Sequence, residues 1–210
     1  MDVTITKYSG ETTGRKVNLS SEVFDIEPND HAIWLDVKSH LANQRQGTHK
    51  SKQRNEITGS SKKIKKQKGT GGARKGNLRN PLYKGGGSIF GPKPHKYDIK
   101  LNQKVKTLAK MSALAYKAKE NAIVVVEDIN MYAPKTSTFT TMLKSLGVNG
   151  KKSLFVIPED NYNLYLSLRN VANVNGTLIR DINTYDIINA NVLVLTENAA
   201  KVFTAEEVEA

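Results

Sequence analysis

The sequence predicts an α/β protein with an open, mostly parallel, Rossmann-like sheet, flanking helices and one long basic extended loop. Four short apolar runs in the second half of the chain alternate with helical stretches, as in proteins whose parallel strands are joined by helical crossovers. All of the excess positive charge lies in a single stretch, residues 43–97. We therefore expect a single globular domain over residues 1–210, interrupted by an extended Gly-rich loop at 43–97.

The chain before this loop predicts two strands and one helix. The runs VTITKY and KVNLS are typical of a short N-terminal strand pair. Apolar side chains then recur at helical spacing, at Ile33, Val37 and Leu41. They indicate a helix over residues 29–44 with Asn29 or Asp30 as its N-cap. We expect Trp34 to pack against the sheet, with a stacking role as the alternative.

The chain after the loop predicts one long helix and then four buried strands. The helix ends near Glu120 and has a stripe of apolar to small side chains, at Leu101, Val105, Leu108, Ser112 and Ala115. The strands are the runs AIVVVED, SLFVIPE, GTLIRDI and NVLVLTE. Helical stretches separate or follow them, near residues 137–146, 161–171, 185–190 and 197–205.

Residues 43–97 contain 15 of the 32 Lys and Arg residues, 10 of the 15 glycines and a single acid, Glu56. The other 155 residues are close to neutral, with 17 basic and 19 acidic side chains. Dense like charge and glycine favour disorder in isolation, so we expect a polyanion partner rather than a plain linker. The candidate phosphate-binding residues are Arg45, Lys50, Lys52, Arg54, Lys62, Lys63, Lys65, Lys66, Lys68, Arg74, Lys75, Arg79, Lys84, Lys93 and Lys96.

The sequence shows no catalytic or metal-binding constellation. The absence of cysteine excludes disulfides, thiolate zinc sites and cysteine nucleophiles. Gly71 and Gly76, like Gly86 and Gly91, have the spacing of a phosphate-binding loop, but the Lys and Ser/Thr of that motif do not follow them. The histidines, at positions 31, 40, 49 and 95, lack metal-ligand spacing. We expect no cofactor, no metal and no enzymatic activity.

Acidic side chains follow two of the predicted strands, Glu127 and Asp128 after one and Glu159 and Asp160 after another. Ligands of open sheets bind at the carboxyl ends of strands, so one interpretation is a magnesium site or an acid/base pair. We favour the other interpretation, in which Asp160 caps the next helix and the remaining acids are solvated.

No targeting or membrane segment is predicted. The first ten residues, MDVTITKYSG, are polar and include an acid, unlike a signal or transit peptide. The longest apolar run, AIVVV, is far shorter than the ~20 residues that span a membrane. We expect a cytoplasmic protein.

The composition of the loop favours contact with RNA. Lys and Arg can bind phosphates, glycines allow close backbone approach, and Tyr83, Phe90 and Tyr97 can stack on bases. An RNA-modifying or nucleotide-dependent enzyme with a basic RNA-binding arm is the alternative, and a general nucleic-acid-compacting protein is the third possibility.

Two motifs in the loop are specific. K-G-T-G-x-A-R spans residues 68–74, and G-G-G-x-x-F-G-P-K-P spans residues 85–94. With them, residues 34–119 resemble the bacterial form of the L4 family of large-subunit ribosomal proteins. The resemblance implies a structural constituent of the large subunit whose α/β domain grips large-subunit rRNA and whose loop helps form the constriction of the peptide exit tunnel.

The resemblance also implies partners and a tunnel-lining tip. The partners are rRNA, neighbouring ribosomal proteins and the nascent peptide, with no membrane and no homo-oligomer. The tip corresponds to Gln67, Lys68, Gly69, Thr70, Gly71, Gly72, Ala73 and Arg74. Members of the family often have Trp-Arg before this motif and Arg within it, where this chain has Lys65, Lys66 and Gly72. The tunnel wall is therefore expected to be less charged at position 72.

Overall fold

A computed structural model describes residues 1–159 and 161–203. The described residues divide into two compact units, one formed by residues 1–40, 100–159 and 161–203 and the other by residues 41–99. The elements, in chain order, are β1 (Asp2–Thr6), β2 (Thr12–Asn18), α1 (Ser21–Phe24), α2 (Asp30–Asn43), α3 (Gln103–Lys119), β3 (Ile123–Val126), α4 (Thr136–Ser145), β4 (Ser153–Ile157), α5 (Tyr162–Leu168), β5 (Val174–Leu178), a 3-10 turn (Ile179–Asp181), α6 (Thr184–Asn189), β6 (Val192–Thr196) and α7 (Glu197–Lys201).

The first unit contains a six-stranded sheet in the order β2-β1-β3-β6-β4-β5. β1 pairs antiparallel with β2, and the neighbouring pairs from β1 through β5 are parallel. The predicted α/β class, the mostly parallel sheet and the N-terminal strand pair are therefore confirmed. The short helix α1 was not predicted, because a single turn of four residues shows no periodicity.

Helices cover both faces of this sheet, which explains why its central strands read as continuous apolar runs. Successive side chains of a strand point to opposite faces. In β4, Leu154 and Val156 belong to one apolar cluster with residues of α1, α3 and α6. Phe155 points the other way and joins residues of α4 and α5, including Phe139, whose ring centroid lies 5.3 Å from its own.

The prediction that Trp34 of α2 packs against the sheet is wrong. Trp34 is 54% exposed rather than packed against the sheet, and Lys38 Nζ lies 4.5 Å from its ring centroid. The buried residues of α2 are the small Ala32 and Ser39. A polar contact orients the helix, since Thr184 Oγ1 donates to Asp36 Oδ2 at 2.6 Å.

Side-chain caps define the starts of several helices. Asn29 Oδ1 accepts from the Ala32 N–H at 3.0 Å, so Asn29 is the N-cap of α2. Asn161 Oδ1 accepts from the Leu164 N–H at 3.1 Å and caps α5, the role that the sequence suggested for Asp160. Asp160 itself lies outside the described residues. In α3, Ser112 and Ala115 of the predicted stripe are buried, whereas Leu108 is exposed.

The acids at the carboxyl edge of the sheet are engaged in structural contacts. Arg15 bridges two of them, with Nη2 at 2.7 Å from Glu127 Oε1 and Nη1 at 3.1 Å from Glu197 Oε1. Asp128 Oδ1 accepts from the Asn198 N–H at 3.2 Å. Among residues 1–159 and 161–203, no group of three or more His, Asp or Glu side chains could hold a metal ion. No helix in the same ranges is long and apolar enough to cross a membrane.

Candidate nucleic-acid interface

The second unit folds back on itself as two antiparallel arms joined by a tip. No helix or strand occurs between α2 and α3. We call residues 44–66 the outgoing arm, 67–74 the tip and 75–99 the returning arm. Backbone hydrogen bonds join the arms at successive levels: His95 N–H to Gly47 O (3.3 Å), Ser51 N–H to Pro92 O (3.0 Å), Ser88 N–H to Lys52 O (3.0 Å) and Ile64 N–H to Gly76 O (3.0 Å). The arms are thus held mainly by backbone hydrogen bonds and not by an apolar core.

Glycines in the arms allow this close pairing. A Cβ on Gly87, which is buried, would lie 2.4 Å from the backbone nitrogen of Arg54 on the opposite arm. A Cβ on Gly91 would lie 1.7 Å from Ser51 Oγ. Real Cβ atoms do not make such contacts, so a larger residue at either position would push the arms apart. The pairing of the two arms was not predicted from the sequence. The one signal for it was that glycines of the returning arm lie opposite small residues of the outgoing arm.

Aromatic and basic side chains close the base of the arms. The guanidinium of Arg45 lies 3.6 Å from the ring centroid of Tyr97. The ring centroid of His95 lies 4.4 Å from that of Tyr97, and the ring centroid of His49 lies 5.0 Å from that of His95. Asn43 Oδ1 accepts from the Ile99 N–H at 3.0 Å. Tyr97, predicted to stack on bases, is thus already engaged within the unit.

The fifteen predicted phosphate-binding side chains are nearly all accessible. Fourteen are exposed, and Arg79 is half-buried because its Nε donates to Gly59 O at 2.8 Å. Among the described residues, Lys50 is the one member of this set with a carboxylate partner, Glu56 Oε1 at 2.5 Å. The hydrogen bond from Lys50, together with one from the Gln53 N–H, lowers the pKa of Glu56. The unit therefore presents positive charge that its own residues barely neutralise.

The tip residues are exposed throughout, from Gln67 to Arg74. Gly69 and Gly71 have φ angles of +80° and +65°, which disfavour other residues there. Gly72 does not share this conformation, and a Cβ on it would meet only Lys65 Nζ, at 3.5 Å. Lys63 Nζ donates to the Gln67 side chain at the start of the tip. Thr70 lies between the two positive-φ glycines, so little side-chain bulk surrounds it.

Several apolar side chains of this unit are also exposed. Phe90 is 98% exposed and Leu82 is 88% exposed. Tyr83 is half-buried, with Lys75 Nζ 5.8 Å from its ring centroid. Of the three aromatics predicted to stack on bases, Phe90 is therefore the most accessible. A surface that combines free cations, an accessible ring and close-packed backbone is suited to an RNA partner.

Comparison with known proteins identifies the family. The model of the ribosomal protein L4/L1 family matches residues 17–206. The chain is 59% identical over 201 residues to the large ribosomal subunit protein uL4 of Bacteroides fragilis, which covers 96% of this chain and 97% of that protein. It is 56% identical over 199 residues to uL4 of Flavobacterium johnsoniae (95% of both chains) and 53% identical over 202 residues to uL4 of Porphyromonas gingivalis (96% and 97%). The chain belongs to the ribosomal protein L4/L1 family, which confirms the predicted identity as a structural, non-enzymatic protein of the large ribosomal subunit.

Proposed function

We propose that residues 43–97 form an extended loop that binds large-subunit rRNA, and that its tip, residues 67–74, lines the peptide exit tunnel. The observation that carries this proposal is the exposure of fourteen cations in a segment that contains one carboxylate. Phosphates of rRNA provide the missing counter-charge, and the released counterions contribute to binding. The fifteen cations position the segment, while backbone approach and stacking adapt it to irregular RNA.

The paired arms suit a narrow path between RNA helices. Two antiparallel chains in direct backbone contact form a thin element, and each half of the 55 residues 43–97, arm and half-tip together, has about 27 residues. At ~3.3 Å per residue the upper limit of its reach is ~90 Å, which is long enough to enter a large ribonucleoprotein. The fold-back between the arms places the tip at the far end of such an element.

The tip has the chemistry expected of a tunnel wall. Its glycines keep the backbone free of bulk, so that the backbone can press against rRNA. Lys68 and Arg74 flank the glycines and pair with phosphates on either side. Thr70 then faces the lumen, where it contacts the nascent peptide. The protein works in the cytoplasm as a single copy within the subunit, beside neighbouring ribosomal proteins and without forming a homo-oligomer.

A photocrosslinker at Thr70 tests the tunnel placement. Ribosomes that carry p-benzoylphenylalanine at this position are stalled on nascent peptides of increasing length and irradiated. We expect labelling of the nascent peptide once the chain is long enough to reach the tip. The same crosslinker at Thr58, an exposed threonine of the outgoing arm, should label rRNA or proteins only. Labelling of rRNA and neighbours alone from position 70, at every peptide length, would show that the loop only anchors the protein.

A further inference from the structure

An apolar groove lies at the open edge of the sheet in the first unit. Its volume is about 400 Å³, and we call it the β5 groove. Its lining includes Ile157, Tyr162, Tyr165, Gly176, Leu178 and Asp181. The groove thus lies between the outermost strand β5 and helix α5.

Strand β5 offers free backbone groups beside this groove. Among the residues that the structure describes, it is the last strand of the sheet, with β4 as its one neighbour. The Ser153 N–H of β4 donates to Asn173 O, so the backbone groups of residues 173, 175 and 177 point toward β4. The backbone N–H and C=O groups of the alternate residues Val174, Gly176 and Leu178 therefore point toward the open side of the sheet. The Gly176 N–H donates to the neighbouring Asn175 Oδ1 at 3.1 Å, its one partner within the described part of the chain. An extended peptide can therefore add to this edge, with one side chain in the groove.

The side chains around the groove favour a cationic occupant. Tyr162 is 72% exposed and Tyr165 is 49% exposed, and both rings can receive an ammonium or guanidinium group. Three carboxylates line the groove and the depression beside it, Asp128, Glu159 and Asp181, against one ammonium, Lys201. Lys201 is itself bonded to Asn198 and Glu197, and Asp181 shares an exposed ion pair with Arg180. RNA phosphates would be repelled here, in contrast to the second unit.

We propose that the β5 groove docks an extended, Lys/Arg-rich segment of a neighbouring protein of the large subunit, which pairs with β5. The tyrosine rings and carboxylates hold its cations, and the strand edge holds its backbone. The proposal rests on membership in the large subunit and not on the tunnel placement of the tip. Crosslinks from position 70 and from this groove can therefore succeed or fail independently.

Crosslinking within assembled subunits identifies the occupant. p-Benzoylphenylalanine replaces Tyr165, which keeps an aromatic ring at the groove, and purified large subunits are irradiated and digested. We expect a crosslink to a Lys/Arg-rich segment without helical structure in another subunit protein. Crosslinks to rRNA alone, or none at all, would overturn the proposal.

A second measurement uses the free full-length protein. The probe is an eight-residue peptide of alternating Lys and Val, measured by fluorescence anisotropy at physiological salt. Tyr165→Ala should weaken its binding about two- to fivefold, as expected for one exposed cation–π contact. Tyr8→Ala removes a similarly exposed ring from another part of the unit and should have no effect. A peptide in which every Val is Pro lacks every second N–H and cannot form a regular strand, so equal affinity of this peptide would refute β-strand addition.

Discussion

Four lysines that precede the tip provide the sharpest test of rRNA binding by the loop. Lys62, Lys63, Lys65 and Lys66 are all exposed, and within the described part of the chain none has a carboxylate partner. Lys63 is hydrogen-bonded only to the neutral side chain of Gln67. Their charges are thus available to phosphates. Replacing all four with Gln should flatten the salt dependence of rRNA binding.

The expected change is large. Each phosphate neutralised on single-stranded RNA contributes a slope of ~0.7 in a plot of log affinity against log salt concentration, so four contacts contribute ~2.8. Between about 50 and 200 mM salt, the unmodified protein should lose ~50-fold more affinity than the quadruple variant. A loss of affinity without a change in slope would indicate altered folding rather than lost phosphate contacts.

The assay is anisotropy or filter binding of the full-length protein to a large-subunit rRNA transcript at several KCl concentrations. A matched variant replaces four exposed lysines of the first unit with Gln, at positions 7, 16, 144 and 151. It removes the same charge from the α/β unit and should flatten the slope less than the loop variant does. If the loop variant keeps its slope, the four lysines face solvent or protein. If both variants flatten the slope equally, binding does not reside in the loop.

Three further predictions concern the loop and its glycines. Trypsin should cut the free protein first within residues 43–97 and leave folded α/β fragments, because exposed segments rich in Lys and Arg are cleaved before packed ones. Protection of the loop in the free protein would contradict this. Gly71→Arg should weaken rRNA binding about 5- to 30-fold, because a side chain at a positive φ angle costs ~1–2 kcal/mol of backbone strain. Gly72→Arg adds the same charge at a position without a positive φ angle and should not weaken binding. In the rRNA complex, Gly87→Val should speed amide hydrogen exchange across the arms, and Gly76→Val, where a Cβ meets nothing, should leave it unchanged.

The parts of the fold that could be predicted are those in which one physical signal dominates. β3, β4 and β6 are buried on both faces, so their apolar runs are uninterrupted and mark their positions directly. In α2, by contrast, Ile33, Trp34 and Leu35 are consecutive, so apolar side chains lie on more than one face of the helix. The spacing alone could not select the buried face. The hydrogen bond from Thr184 to Asp36 joins residues 148 positions apart, and sequence periodicity contains no information about it.

The candidate site divides in a similar way. Its charge and composition are local properties, so the exposed cations could be anticipated residue by residue. The pairing of the arms could not, because backbone hydrogen bonds between irregular segments impose no alternating pattern on the side chains. The position at which the chain turns back, at the tip, could be predicted in part. Residue 70 is the midpoint of 43–97, and near-symmetric arms must turn close to their midpoint.

The uneven distribution of charge between residues 43–97 and the rest of the chain has a physical consequence for binding. Residues 43–97 hold an excess of 14 positive charges, while the remaining residues hold an excess of two negative ones. A strongly acidic first unit would compete with rRNA for the loop, because an intramolecular partner acts at high effective concentration. Near-neutrality removes that competition and leaves the cations for phosphate. The few carboxylates gathered beside the β5 groove, flanked by tyrosine rings, can then select a cationic peptide locally without attracting the loop as a whole.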